Sequence, residues 1–89
     1  MGDEQGAGEY AKALGGRLRA VRDRQGLSLR AVEDKSGGRW NAITVGAYER
    51  ASRAITVERL AGLALFYGVP VADLLPPGPA SAPRGGRRA

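Results

Sequence analysis

The sequence predicts an all-α domain of five short helices. Apolar residues recur every three or four positions in several segments between Tyr10 and Leu75, and Gly, Ser, Thr and Pro punctuate those segments where helices start and stop. No segment alternates apolar and polar residues over more than a few positions, and no Asn-Gly or Asp-Gly hairpin signal is present, which excludes a sheet.

In the first segment Tyr10, Leu14, Leu18 and Val21 share one helical face, with Arg17, Arg19, Arg22 and Arg24 around it. Gly15 and Gly16 interrupt this segment, each less favourable than Ala by about 1 kcal/mol, so either the first turns are weak or another backbone approaches closely there. Gly26 stands at a C-cap position. Ser28 is an N-cap for a second helix, Leu29 to Lys35, whose inward position is Val32 and which Gly37 and Gly38 end. The third helix, Asn41 to Arg50, turns Val45 and Tyr48 inward. Thr56 caps a fourth with Val57, Leu60, Leu63, Ala64, Phe66 and Tyr67 at helical spacing and Glu58 in its dipole-favoured first turn, and Gly68 ends it. Pro70 opens a fifth, with Val71, Leu74 and Leu75, before Pro76 and Pro77.

The chain has 89 residues, room for one small domain without the help of a disulfide, since it has no Cys. The absence of both Cys and His removes the usual zinc sites, thiolate nucleophiles and His-based triads, so an enzyme is not expected. Residues 1–9 are Gly-rich and acidic, and residues 76–89 are rich in Pro, Gly, Ala and Arg. Neither carries apolar periodicity, and both are expected to be disordered around a domain spanning 10–75. Their charges cancel, Asp3, Glu4 and Glu9 against Arg84, Arg87 and Arg88. The net charge of +5 therefore belongs to the folded segment, and a basic fold suggests a polyanionic partner. With no signal-peptide pattern and no apolar run long enough for a membrane span, a cytoplasmic, nucleoid-associated protein is the expectation.

Two short helices joined by a Gly-containing turn, preceded by an Arg-rich helix and followed by a hydrophobic one, form the pattern of a helix-turn-helix DNA reader. The string RLRAVRDRQGLS, then YER, then TVERLAGLALFYGVPVADLL, resembles the Cro and phage-repressor (XRE) type of helix-turn-helix family over Arg17 to Leu75. A narrower resemblance, through GRW, VGAYER and FYGVPV, is to the BldD-type DNA-binding domains of developmental repressors in sporulating actinobacteria. Leu29 and Glu33 stand where the wider family has a Gln and a small residue. The turn is about two residues longer than the family's usual one, a lengthening shared with the BldD type, and contains Trp40.

The resemblance implies a lambda-repressor-like fold whose third helix enters the major groove. Arg39, Asn41 and Thr44 would then face base edges and Ala47 a thymine methyl, with Arg39 suited to guanine and Asn41 to adenine. Arg50, Arg53, Lys35 and Arg17 are the candidates for phosphates, although for Arg17, as for Arg19, Arg24 and Arg59, a solvated surface role is the simpler reading. It also implies that Glu49 pairs with Arg22 as a structural ion pair. Trp40, Tyr48, Phe66 and Tyr67 are expected in the core, Trp40 bracing the lengthened turn, and Leu65 falls on an outer edge of the fourth helix. Glu33 and Asp34 read as solvated helix surface. GAGEYA at Gly6 to Ala11 fits a dinucleotide fingerprint only superficially, since no strand precedes it.

The function expected is that of a transcriptional repressor bound to double-stranded DNA as a homodimer on a pseudo-palindromic operator, with no cofactor of its own. BldD-type proteins carry a second, C-terminal domain that binds cyclic di-GMP, so that ligand would concern this chain only if such a domain accompanied it. An antitoxin-like or adaptor module that binds a protein partner is the alternative, and a membrane-surface helix ranks last because the apolar faces are needed for a mutual core.

Overall fold

The computed structural model describes residues 2–78, with side chains from Gly8 onward. Four α-helices, α1 (Gly2–Arg24), α2 (Leu29–Lys35), α3 (Ala42–Glu49) and α4 (Val57–Tyr67), are followed by one 3-10 turn, Val71–Leu74, and no strand occurs among the described residues. The expected fifth helix is thus a 3-10 turn. Pro70 opens it and Pro76 follows closely, so only four residues remain, and Asp73 N–H closes the turn on the Pro70 carbonyl at 3.0 Å. At the other end, α1 begins well ahead of Tyr10 and takes in the acidic run that composition placed outside the folded unit. The tail from residue 79 lies outside the described residues.

Local chemistry sets the ends of the other helices. Ser28 Oγ accepts from Ala31 N–H at 3.0 Å at the start of α2, and Thr56 Oγ1 from Arg59 N–H at 3.1 Å at the start of α4. Gly68, at φ 73°, ends α4 in the left-handed conformation, with its N–H turned back on the helix. At the end of α3 that conformation falls on Ala51, at φ 60°, and Ser52 N–H bonds the Ala47 carbonyl at 2.9 Å.

Every element contributes to one core. Leu18 comes from α1, Val32 from α2, Val45 from α3, Leu63 from α4 and Leu74 from the 3-10 turn, all fully buried. Tyr48, Leu60, Tyr67 and Trp40 fill in around them, while Phe66 is half-buried at the margin. Trp40 enters from the turn between α2 and α3 and packs against α4 at Gly62, where a Cβ would come within 2.9 Å of its ring. It braces the turn as expected.

The two glycines inside α1 have different reasons to be there. At Gly15 the backbones of α1 and α3 touch: a Cβ would stand 2.7 Å from the Tyr48 carbonyl oxygen and collide with that of Glu49. Gly16 faces open space. Gly15→Ala is therefore expected to lose about 1–3 kcal/mol of stability through overpacking against backbone, whereas Gly16→Ala should gain up to about 1 kcal/mol from helix propensity. Urea unfolding followed by circular dichroism separates the two, and equal effects would refute the close approach.

Candidate nucleic-acid interface

The surface of interest is the outward side of α3, and it exists because α3 is held from beneath. Arg22 of α1, buried at 8% exposure, donates from Nε to Glu49 Oε2 at 2.7 Å and from Nη2 to Oε1 at 2.8 Å, a bidentate pair. Its remaining Nη1 donates to the Leu27 carbonyl at 2.7 Å, tying the α1–α2 connection to the same guanidinium. The Glu49 hydrogen bond holds the Arg22 pKa above its ordinary value in spite of burial. The expected Arg22–Glu49 ion pair is present. Beside it, burial and then the Glu49 carboxylate push the Tyr67 phenol up to about 12, and its Oη has no hydrogen-bond partner among the described residues.

With Val45, Gly46 and Tyr48 turned in, α3 turns Ile43 (80% exposed) and the flanking Asn41 and Arg50 outward, with Thr44 and Ala47 half-buried between them. Ile43, Ala47 and Arg50 follow one another at four and three residues and so form a stripe along the helix. Gly46 lets α2 come close: a Cβ there would meet Leu29 Cδ1 at 3.2 Å and Arg50 Nη1 at 3.1 Å, so Leu29, in place of the family's Gln, packs against α3. Lys35 at the end of α2 and Arg53 after α3 are exposed, as is Arg30 on α2.

Several side chains have local partners that spacing did not reveal. Asn41 is the N-cap of α3; its Oδ1 accepts from Ile43 N–H at 2.9 Å and Thr44 N–H at 3.2 Å. That leaves its amide nitrogen, and not a free bidentate amide, to face outward. Arg39 stacks over the Trp40 ring at 5.3 Å, beside an open cleft shared with Glu58 and Arg59. Arg17 Nη1 reaches the carbonyls of Leu75 at 3.4 Å and Asp73 at 3.5 Å, fastening α1 to the C-terminal turn. Glu33 is not solvated surface. It is half-buried, and its Oε1 accepts from Ala42 N–H at 2.9 Å, nine residues away across the turn.

Sequence reasoning missed Ile43, Arg30 and the role of Glu33. Ile43 was detectable, since it lies off the face shared by Val45 and Tyr48. Arg30 differs from the chain's other arginines in no local feature, and the partner of Glu33 depends on how the turn folds.

A short helix seated on a second across a Gly-containing turn, braced by a third and a fourth, is a helix-turn-helix domain. The Helix-turn-helix family model matches residues 18–74, and the chain belongs to that family. Two solved structures are closely similar. The crystal structure of the DNA-binding domain of BldD is 67% identical, with 78% of this chain and 97% of that chain covered and a TM-score of 0.77. The structure of the S. venezulae BldD DNA-binding domain is 68% identical, with 76% and 99% covered and a TM-score of 0.76. No curated protein sequence matches the chain significantly.

Removing one member of the buried pair leaves a charge without its counter-ion. Glu49→Ala is expected to destabilise the fold by about 3–5 kcal/mol in denaturant titration, and a loss under 1 kcal/mol would contradict the burial. The Tyr67 shift has a definite sign. The unfolded phenol ionises near pH 10 while the folded one stays neutral to about 12, so its share of stability is intact below pH 10 and is lost as pH rises towards 12. Tyr67→Phe should flatten that alkaline decline by about 2–3 kcal/mol across the window, read from unfolding midpoints at pH 9 and pH 12.

Proposed function

We propose that this chain is a sequence-specific DNA-binding transcriptional regulator, a repressor that occupies a pseudo-palindromic operator as two copies. Each α3 lies in one of two successive major grooves about 34 Å apart. The observation that carries the reading is the outward stripe of Ile43, Ala47 and Arg50 on α3, with Arg30 and Lys35 on α2 and Arg53 after α3 also exposed. The DNA-binding domains named in both similar structures support it. No helix among the described residues is long and apolar enough to cross a membrane, and the reading places the protein in the cytoplasm on the nucleoid.

Base reading falls to Thr44 and Ala47, joined by Ile43, whose exposed apolar side chain suits a thymine methyl. Asn41 contributes its amide nitrogen, and Arg39 reaches a guanine only by leaving Trp40. Phosphate contacts fall to Lys35, Arg50, Arg53 and Arg30, while Arg17 serves the fold. A second reading, an adaptor that binds a protein through α4, is favoured by one observation: Val57 and Leu65 are 82% and 83% exposed on the same face, with exposed Ala61 between them.

A salt titration against a duplex selected from random sequence decides between them. Four phosphate contacts per protomer predict log K falling with log salt at a slope of about −3.6, since each contact contributes about 0.9. Arg53→Ala should lower affinity for selected and random duplexes alike, and Thr44→Ala should weaken the selected duplex by about 1–3 kcal/mol with little effect on random DNA. Binding to neither duplex at low salt would sink the reading.

A further inference from the structure

The N–H groups of the first four residues of α3, Ala42 to Val45, all have acceptors within the protein. Ala42 N–H goes to the Glu33 carboxylate at 2.9 Å, Ile43 and Thr44 N–H to Asn41 Oδ1, and Val45 N–H to the Asn41 carbonyl at 2.9 Å. α4 is built differently: its side-chain cap takes only Arg59 N–H, and Val57 and Glu58 N–H have no partner among the described residues. Free N–H groups at the positive end of a helix attract phosphate irrespective of sequence. On the helix that is to read bases, such a grip would compete with side-chain readout, because it rewards any duplex equally.

Glu33 is also placed to hold α3 at a fixed offset from α2. Its carbonyl accepts from Gly38 N–H at 2.8 Å and from Ser36 Oγ at 3.1 Å, and the same Ser36 Oγ accepts from Trp40 N–H at 3.0 Å. One residue thus anchors both the inner loop of the turn, through its main chain, and the first residue of α3, through its side chain.

We propose that Glu33 is a positioning residue for DNA recognition. Its carboxylate occupies the α3 N–H that would otherwise grip a backbone phosphate, fixes α3 relative to α2, and repels phosphate from that end, so that α3 meets DNA through side chains alone. The proposal rests on the DNA-binding reading and goes beyond it by assigning specificity to a residue that touches no base.

The test compares the full chain with Glu33→Gln and Glu33→Ala for affinity to a selected duplex and to a random one, alongside thermal melts. Gln retains an acceptor for Ala42 N–H and removes the charge, so affinity for the selected and the random duplex should rise together, about threefold, with their ratio close to wild type. Ala removes both, and the ratio of selected to random affinity should fall about tenfold or more at a temperature where the variant is still folded. Ala42→Pro supplies an arm that does not depend on Glu33→Ala folding. Proline suits the first helical position, and Asn41 already has the extended backbone (φ −67°, ψ 136°) that precedes a proline. With no N–H there, the ratio should fall through lost positioning, without any gain on random DNA. If wild type discriminates and Glu33→Ala or Ala42→Pro keeps the wild-type ratio, the role of Glu33 is overturned and the DNA-binding reading stands. If wild type itself prefers no duplex, the DNA-binding reading fails first.

Discussion

The seating of α3 on α1 is the constraint on which the rest of the molecule depends. A helix of eight residues has too few hydrogen bonds to persist alone, and only Val45, Gly46 and Tyr48 are buried along it. What fixes it is a close approach at one place and a charge pair at another: bare backbone against backbone at Gly15, and the Arg22 fork on Glu49. A buried ion pair is a poor source of net stability, because desolvation offsets most of the attraction. It is a good source of geometry, since a bidentate guanidinium tolerates little rotation of the helix that carries its carboxylate. α3 can therefore present one side to solvent with a fixed azimuth although its own apolar content is small.

The electrostatics of the domain divide along the same line. Carboxylate and amide oxygens satisfy the start of α3, while Lys35, Arg50 and Arg53 expose their cations at the end of α2 and after α3. Under the DNA-binding reading, attraction for a polyanion falls on long side chains and not on the backbone of α3. In the proposed complex such cations would follow a phosphate backbone without dictating where the helix stops, which would leave depth and register to Ile43, Thr44 and Ala47.

Where an element's signal is local, its residues disclosed it. Ser28, Thr56 and Gly68 act within one helical turn of themselves, and the boundaries of α2 and α4 followed from them. The third helix was located to within its caps, but the capping bonds of Asn41 Oδ1 were not legible, because a residue's type does not say whether its acceptor is already spent on the backbone. Gly15 and Gly16 were indistinguishable in sequence; only the carbonyls of α3, more than thirty residues on, separate them. Glu33 was misread for the same reason, since its partner becomes a neighbour only after the turn has folded. Arg22 with Glu49 is the exception, a long-range pair anticipated through family resemblance and not from spacing.

The lengthened turn carries the last step. Extra residues between two packed helices ordinarily loosen them, and Gly37 and Gly38, at φ 64° and 85°, give this turn a path that other residues adopt only with strain. Trp40 counters that freedom. Its ring is buried on α4 at Gly62 and its N–H is held by Ser36, so the residue two places before α3 is anchored to a helix outside the motif. α3 is consequently held by α1 through Glu49, by α2 through Glu33, and by α4 through Trp40. A helix fixed from three directions before any partner arrives loses little further freedom on docking, and that is the condition under which a few side chains can discriminate among sequences.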